Sequence, residues 1–315
     1  MIGATVAVAS SSAHAQNPIK GPIKLLVPLP AGSTSDIVAR LIADHIKDAI
    51  EQPIIVENKP GATGRIAAEA LKNAAPDGST LLIAPIAVTV LAPMVFKRLN
   101  YEPAKDFAPV AQIARFQYAF VVGPSHRAHT AAEFMAWAKT NPGQASFGTP
   151  GAGSLPHFLG MMIGREAGVE MLHVAYQGVT SLTTELIGGQ VPSGVSALSD
   201  LVALHRAGKI RIIATTGSER SLVLPSLPTF KEQGFPAVEG VGWTAVYAPA
   251  GTPKPVIDHL SMAIVKALRT PAVKDKLIAL GLEPTGTTPE ELAAIMVADT
   301  VRWAPIVKGS GFTAD

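Results

Sequence analysis

The architecture depends on one segment near the start of the chain, Leu25-Leu26-Val27-Pro28-Leu29-Pro30-Ala31-Gly32-Ser33-Thr34-Ser35-Asp36. Its apolar half predicts a buried strand, and its Pro/Gly turn predicts the start of a helix capped by Ser33 or Ser35. Such a helix start presents free backbone N–H groups at the positive end of the helix dipole, where an anion binds. Because no Lys or Arg lies between Leu25 and Ala39, amides and hydroxyls would hold that anion. An ordinary capped turn without a ligand fits the same pattern.

The segments that follow alternate in the same way between apolar runs and helical spacing. The predicted strands are 23–29, 53–58 and 80–84, and the predicted helices are 36–50 and 64–72. This βαβαβ order predicts a parallel sheet with right-handed crossovers. Ligands of such sheets bind at the carboxyl ends of the strands, where the loops with Gly32 and with Ile86-Ala87-Val88 lie.

A second region repeats the pattern of the first segment. Residues 145–157 contain a short apolar run, a Pro/Gly turn and Ser154, and a helix is predicted at 158–167. The similarity is too short to prove a duplication, but it predicts a second helix start lined by amides.

Two extended segments connect these regions. Residues 116–122 are predicted to cross into a second lobe, and residues 242–248 are predicted to cross back. The predicted helices at 255–268, 271–280 and 289–303 form a tail that covers the first lobe. We therefore predict an α/β protein whose first lobe is 20–115 plus 249–315 and whose second lobe is 116–248. Two crossing strands make a hinge, with a cleft between the lobes.

Composition excludes several classes of function. A chain of 315 residues is longer than a single hydrophobic core usually supports, which suggests two lobes. Its content of 48% hydrophobic and 16% charged residues indicates a globular protein. The net charge of +2 comes from scattered Lys and Arg, which gives no reason to propose nucleic acid as a partner. The absence of Cys excludes thiolate chemistry, disulfides and cysteine metal sites.

The N-terminus predicts export. Residues 2–9 form a short apolar run, and Ala13-His14-Ala15 is an A-x-A cleavage site. Residues 1–15 are therefore predicted to be the remainder of a signal peptide, cleaved after Ala15. No later apolar run approaches the ~20 residues that a membrane span requires, so we expect the mature protein in the periplasm.

Tests for catalytic motifs find no convincing set. A G-x-S-x-G elbow around Ser154 is broken at Pro156, and a dinucleotide fingerprint would need Gly at that same position. His157 either donates to a ligand at a helix start or is a partly exposed side chain. Asp36 could act as a general base, although a role in capping is commoner in a first helical turn. No H-E-x-x-H and no phosphate-binding G-x-x-x-x-G-K-[ST] occur, so we expect neither a metal nor a cofactor.

Several blocks of sequence carry a specific resemblance. They are Val27-Pro28-Leu29-Pro30-Ala31-Gly32-Ser33-Thr34-Ser35-Asp36, Val56-Glu57-Asn58-Lys59-Pro60-Gly61-Ala62, Ala75-Pro76-Asp77-Gly78, Lys105-Asp106-Phe107-Ala108-Pro109-Val110, Val174-Ala175-Tyr176-Gln177-Gly178 and Ala248-Pro249-Ala250-Gly251-Thr252-Pro253. In this order they resemble the solute-binding proteins of tripartite tricarboxylate transporters, the Bordetella uptake gene (Bug) family. The resemblance runs from about Pro22 to the C-terminus.

The resemblance implies a two-lobed, type II-like periplasmic-binding-protein fold that closes on a small carboxylate. It implies that one Pro/Gly loop in each lobe holds carboxylates, partly through ordered water. The residues carried over by position are Ala31, Gly32, Ser33, Thr34 and Asp36 in the first lobe, and Thr149, Gly151, Ala152, Ser154 and His157 in the second. The residues expected to line the sides are Ile86, Ala87, Tyr176, Gly178, Ser199 and Asp200.

Two departures from the family pattern bear on the ligand. Leu29 stands where an aromatic residue is usual, and Ile86-Ala87-Val88 replaces a small polar loop. Both changes make the cleft more apolar, which favours a dicarboxylate with an apolar body, such as terephthalate. The resemblance further implies a monomer that delivers its solute to membrane permease subunits. Two alternatives stay open: an enzyme of the same fold acting on a small acid, and a periplasmic partner of a membrane sensor kinase.

Overall fold

A computed structural model describes residues 19–315. The predicted signal peptide and its cleavage after Ala15 lie outside these residues.

The described chain alternates between strands and helices along most of its length. The strands are β1 (Ile23–Val27), β2 (Ile54–Asn58), β3 (Thr80–Pro85), β4 (Phe107–Val122), β5 (Ser146–Thr149), β6 (Leu172–Ala175), β7 (Ser193–Ala197), β8 (Arg211–Thr215), β9 (Val241–Pro249) and β10 (Glu283–Pro284). The helices are α1 (Thr34–Ile50), α2 (Arg65–Lys72), α3 (Ala92–Val95), α4 (Pro103–Asp106), α5 (Ala131–Thr140), α6 (Leu155–Ala167), α7 (Val179–Gly188), α8 (Leu198–Arg206), α9 (Lys254–Leu268), α10 (Pro271–Ala279) and α11 (Pro289–Ser310).

The first sheet has the strand order β2-β1-β3-β9-β4. Strand β1 lies parallel to both β2 and β3, which confirms the predicted βαβαβ unit. Strand β9 is antiparallel to both of its neighbours, with Leu82 opposite Tyr247. The carboxyl ends of β1 and β3 therefore meet at one edge, where the loop after Val27 lies.

Strand β4 belongs to both sheets of the molecule. It has 16 residues; it pairs with β9 as far as Gln117, and from Tyr118 onward it pairs with β7 and β8. The second sheet continues as β7-β5-β6, with β5 parallel to both of its neighbours. We call the elements around the first sheet the first lobe and those around the second sheet the second lobe. The residue limits predicted for the lobes stay a prediction.

The cores lie on the faces of these sheets. One buried cluster fills the space between β1, α1 and α9, where Ile42 and Leu260 have no exposed surface. A second cluster runs through both lobes and contains Phe120, Phe147 and Trp303. Because one apolar cluster spans both lobes, they are packed against each other as well as joined by β4 and β9.

The C-terminal helix extends further than the sequence predicts. The helix is predicted to end at residue 303, but α11 continues through Pro305, a residue that normally breaks a helix, to Ser310. The helix is anchored by Trp243, whose indole N–H donates to Asp299 Oδ2 at 2.7 Å. It packs against β4 and also against α6 of the second lobe, so the tail does more than cover the first lobe.

Candidate ligand-binding site

The loop between β1 and α1 is held in a tight turn. Ser33 is the N-cap of α1, and its Oγ accepts from the Asp36 N–H at 3.3 Å. Gly32 has a φ of +82°, in the left-handed region that favours glycine. Ala31, Gly32 and Thr34 are exposed, and Ser33 is half-buried. The turn is therefore preformed, with its surface open to the solvent.

Asp36 is fully engaged inside this loop. Its carboxylate accepts from the Gly32 N–H at 2.9 Å and from Asn58 Nδ2 at 2.9 Å, and it pairs with Arg40 at 2.9 Å. These hydrogen bonds, that from Arg40 foremost, lower the pKa of Asp36 to about 2 against the opposing effect of burial. The carboxylate thus fixes the turn, and the Gly32 amide points at Asp36.

The donors left for a ligand are further along the helix start. The N–H groups of Thr34 and Ser35 belong to the first turn of α1, which has no intrahelical acceptors for them. Neither donates to any acceptor within residues 19–315. The loop therefore offers two amide donors that are aligned by α1 and not consumed by the protein.

In the second loop, between β5 and α6, the side-chain hydroxyls form hydrogen bonds within the loop itself. Thr149 Oγ1 and Ser154 Oγ both donate to the Gly151 carbonyl, at 3.1 Å and 2.6 Å. The Gly153 N–H donates to His157 Nδ1 at 3.2 Å. Across the described part of the chain, no acceptor takes the N–H groups of Ala152, Ser154 and Leu155. The donors of this loop are accordingly backbone amides, while its hydroxyls hold the turn together.

A stacked pair of imidazoles supports this second loop. The rings of His157 and His173 have centroids 3.8 Å apart, and His173 Nε2 lies 2.7 Å from Thr149 Oγ1. Because the single Thr149 proton goes to Gly151, we assign Nε2 of His173 as the donor in this bond. Burial lowers the pKa of both rings, that of His173 to about 4 with a smaller contribution from His157. Both are therefore neutral near pH 7.

Two residues that contact this loop were missed by the sequence analysis. His173 enters from β6, whose register places it opposite Phe147 of β5. Phe312 enters from beyond α11 and meets the His157 ring edge-on at 5.4 Å. A Cβ on Gly153 would lie 2.4 Å from the Phe312 ring, so this glycine is needed for the close approach. Alternation along β6 could have placed His173 on the face shared with Phe147, but no local signal identifies Phe312.

The segment after β3 corrects one prediction. Ile86, Ala87 and Val88 are predicted as a loop, but the chain turns helical at Ile86 and forms a π-helical turn at Ala87–Leu91 that leads into α3. Ile86 is 1% exposed, so it belongs to the core, whereas Ala87 is partly exposed. The Tyr101 hydroxyl donates to the Val88 carbonyl at 2.9 Å and ties down this turn. An apolar run of this kind has no periodicity that separates helix from loop.

The remaining predicted residues lie at the carboxyl ends of second-sheet strands. Tyr176 follows β6, and Gly178, with a φ of +98°, is the N-cap of α7. Ser199 and Asp200 lie in the first turn of α8, directly after β7. Ser196 Oγ donates to Asp200 Oδ2 at 3.1 Å, while burial among the surrounding protein raises the pKa of Asp200.

A cavity of about 190 Å³ lies between the two lobes. Of the predicted residues it brings together Thr34 from the first lobe and Ser199 and Asp200 from the second; the other predicted residues do not line it. Most of its wall is apolar and includes Leu29, Val38 and Phe116. Leu29, the residue that departs from the family pattern, is 38% exposed.

A larger cavity of about 810 Å³ lies elsewhere, at the amino-terminal ends of β5, β6 and β7. The residues that line this larger cavity include His173 of β6, but none of them belongs to the loop before α1 or to the loop before α6. Ligands of open α/β sheets bind at the carboxyl ends of strands. We therefore place the candidate site at the smaller cavity and the two helix starts.

Two further observations concern metal ligands and helix length in the described chain. No three His, Asp or Glu side chains of residues 19–315 come together in a group that could hold a metal ion. In the same range, no helix is both long enough and apolar enough to cross a membrane.

Comparison with known proteins places these features in a family. A family model described as "Tripartite tricarboxylate transporter family receptor" matches residues 38–312. A solved structure described as a periplasmic transporter is 33% identical, with a TM-score of 0.82 over 94% of this chain and 99% of its own. The chain thus has a mixed α/β periplasmic-binding-protein fold similar to type II, as predicted.

Two proteins of Rhodopseudomonas palustris have structures with bound acids. MatC with bound malate is 30% identical, with a TM-score of 0.78 over 91% of this chain and 98% of its own. Rpa4515 with adipate is also 30% identical, with a TM-score of 0.83 over 93% of this chain and 98% of its own. The chain belongs to the tripartite tricarboxylate transporter receptor family, a family of binding receptors and not of enzymes, and the resemblance to it is confirmed.

Proposed function

We propose that this protein captures a small carboxylate in the cleft between its lobes and delivers it to the membrane permease subunits of a tripartite tricarboxylate transporter. The observation that carries the proposal is the pair of helix starts, at α1 and at α6, whose backbone N–H groups have no acceptor in the described chain. Each start offers amide donors with the favourable end of a helix dipole. The bound acids of MatC and Rpa4515 support a carboxylate as the ligand.

We propose in addition that the ligand carries two carboxylates and an apolar body. A buried carboxylate without a partner costs several kcal/mol, so each end of a diacid requires its own donors. Three or four charge-assisted hydrogen bonds contribute about 1.5–3 kcal/mol each, before the opposing costs of desolvation and closure. The apolar wall with Leu29 and Phe116 supports an apolar body, and terephthalate is the aromatic member to test.

The remaining parts of the proposal concern place and motion. The mature protein acts as a monomer in the periplasm after cleavage behind Ala15, and the lobes 20–115 plus 249–315 and 116–248 close by bending at β4 and β9. The site residues of the proposal are those carried over from the family. Asp36, Thr149 and His157 act in it by holding the loops, since their hydrogen bonds are directed within the protein.

A thermal-shift screen tests the proposal. Mono- and dicarboxylates, aliphatic and aromatic, are added to the purified mature protein, and calorimetry follows on every compound that raises Tm. A ligand at a hundredfold excess over its Kd adds about 2.7 kcal/mol to the free energy of unfolding. We expect at least one dicarboxylate to do so and to be recovered unchanged by mass spectrometry. If no carboxylate raises Tm, or if the ligand is recovered chemically altered, the proposal is wrong.

A further inference from the structure

Two strands lie at the outer ends of the two sheets. Strand β2 ends the first sheet and β6 ends the second, and each pairs in parallel with a single neighbour among residues 19–315. A strand in this position presents unpaired backbone N–H and C=O groups to one side, and soluble proteins protect such edges with charged residues or proline. The two edges of this protein differ in that protection.

The edge at β2 is protected. Pro53 directly precedes the strand, and Pro60 follows it closely. Glu57, within the strand, forms an ion pair of 2.7 Å with Lys59. Ile55 is 52% exposed, but along the chain it lies between Pro53 and this ion pair. These features oppose the addition of a further strand.

The edge at β6 carries no comparable protection. The strand runs over Leu172–Ala175 and contains no proline and no Lys, Arg, Asp or Glu. Leu172 is 70% exposed and Ala175 is also exposed, so the strand is open to the solvent at both of its ends. An uncharged, exposed edge of this kind is a template for pairing with another chain.

The backbone groups on the outer side of β6 are directed away from the sheet. The N–H groups of Leu172 and Tyr176 donate to carbonyl groups on the β5 side, each at 2.9 Å. Because successive residues of a strand direct their backbone groups to opposite sides, His173 and Ala175 direct theirs away from β5. No other strand in the described part of the chain pairs with β6 there. The outer side therefore offers two N–H and two C=O groups.

The start of this edge adjoins the larger cavity of about 810 Å³. Met171 and Leu172 form part of its wall, together with Trp137 and Leu186. Among the described residues that line it, Glu170 is the single Asp, Glu, Lys or Arg, and this side chain is exposed. The apolar wall suits an apolar side chain, and the charge of Glu170 is complementary to a basic residue next to it.

We propose that β6 is the docking edge for an extended extracytoplasmic segment of a membrane permease subunit, which adds to the second sheet as a further strand. The inference rests on the proposed function, since that function supplies the permease as the partner. The segment pairs with the outer side of β6 through its main chain, places an apolar side chain in the larger cavity and directs a basic residue to Glu170. In this mode the main-chain hydrogen bonds give affinity and the side-chain positions give specificity.

The size and the place of this edge suit delivery of a ligand. A strand of four residues spans about 13 Å, whereas a stable interface between two proteins buries at least about 1,000 Å². The edge is therefore too small to hold a second copy of this chain, but it suits a complex that forms and separates readily. The carboxyl end of β6 lies at the edge of the second sheet where the candidate site is, so a docked segment would reach the side of the cleft.

Site-specific photocrosslinking tests the contact. The photoreactive amino acid p-benzoylphenylalanine replaces Leu172 in one protein and Ile55, the matched exposed residue of β2, in another. Each protein is illuminated in cells that express the complete transporter, and mass spectrometry identifies the adducts. We expect the adduct with a permease subunit to be at least tenfold more abundant from position 172 than from position 55. Equal yields, no permease adduct, or an adduct with a second copy of this chain would overturn the proposal.

Three substitutions test the pairing itself. Leu172→Lys places a charge on the edge, Ala175→Pro removes one outward N–H group, and Ile55→Lys is the matched control on β2. Uptake of the radiolabelled carboxylate that raises Tm most is measured in the same cells, and calorimetry gives its Kd for each purified protein. We expect both β6 variants to lower uptake at least tenfold with an unchanged Kd, and the control to change neither quantity.

The outcomes separate this inference from the proposed function. If both β6 variants support uptake at the wild-type rate, the docking edge is wrong and the proposed function stands. If they lower uptake and affinity by the same factor, they act on the ligand site and the inference is again wrong. If no carboxylate binds to the wild type, both are wrong. Should one variant fail to fold by circular dichroism, the other variant and the crosslinking decide.

Discussion

The imidazole rings of His157 and His173 lie face to face, with centroids 3.8 Å apart and planes inclined by 18°. His157 comes from the first turns of α6, and His173 comes from β6. Through Gly153 and Thr149 the two rings hold both sides of the second-lobe loop. Protonation of both would place two positive charges in contact, so the pair holds the loop only while it is neutral.

The first prediction concerns stability against pH. The pKa of His173 falls from 6.5 to about 4 on folding, so between these values the unfolded chain binds more protons than the folded one. The contribution of His173 to the free energy of unfolding should therefore be fully present above pH 6.5, and it should be lost as the pH falls towards 4. At ~1.4 kcal/mol per pKa unit the loss has an upper limit of about 3 kcal/mol, less for the part of the ring that solvent screens. Urea unfolding from pH 4 to 7 measures it.

The matched variants for this prediction are His173→Gln and His45→Gln. His173→Gln should flatten the dependence on pH, whereas His45→Gln, at an exposed position of α1, should retain it. Equal slopes in all three proteins would show that the histidine pair does not govern stability in this range.

The second prediction concerns Asp36→Asn. The pKa of Asp36 is lowered from 3.8 to about 2, so its ionised form stabilises the fold above pH 3.8, and this contribution is lost as the pH falls towards 2. Removing the charge should cost about 2 kcal/mol at pH 7. Guanidinium unfolding should show the wild type and the variant converging near pH 2. A constant difference between them at every pH would contradict the origin assigned to the stabilisation.

The third prediction uses two glycines with the same geometry. Gly32 and Gly208 have φ values of +82° and +69°, and no atom lies within 4 Å of a Cβ added at either position. Valine should therefore strain both equally, by about 1–3 kcal/mol. Gly32→Val should in addition weaken carboxylate binding at least tenfold, because the turn that orients Thr34 and Ser35 is distorted. If calorimetry gives the same affinity for both variants, the first loop is not part of the site.

The fourth prediction concerns Ser154→Ala. The Ser154 hydroxyl bonds the Gly151 carbonyl at 2.6 Å and helps to fix the amides of the second loop. Its removal should weaken binding by about 1–2 kcal/mol, the contribution of one hydrogen bond. Thr184→Ala is the control, since its hydroxyl bonds the Thr180 carbonyl on the exposed face of α7. An unchanged Kd in Ser154→Ala would remove this residue from the site.

Local patterns account for most of the elements and for little of the site. The sequence predicts the turn at Gly32 and a cap at Ser33 or Ser35 from residue types that suit this geometry, and the structure shows that Ser33 is the cap. The approach of Phe312 to Gly153 joins residues far apart in the chain, and no spacing rule reports it. The prediction of a loop at Ile86 was wrong for another reason. An unbroken apolar run has no periodicity that distinguishes a helix from a loop.

The hydrogen bond between Asp36 and Asn58 also could not be predicted from the sequence. A first-turn aspartate is typical of a helix cap, but its contact with Asn58 depends on the parallel pairing of β1 with β2. The sequence predicts this pairing without its register. Register decides which side chains meet, and it is set by packing across the whole sheet.

The pairing of β3 with β9 constrains the order in which the chain assembles. Leu82 meets Tyr247 only after every residue of the second lobe has emerged, so the first lobe remains open along one edge while the second is being completed. Closing so long a loop carries an entropic cost that slows the step. A chain that emerges from its N-terminus should accordingly finish its second-lobe sheet before its first-lobe sheet. A truncation before β9 should leave the first-lobe sheet without the strand that lies between β3 and β4.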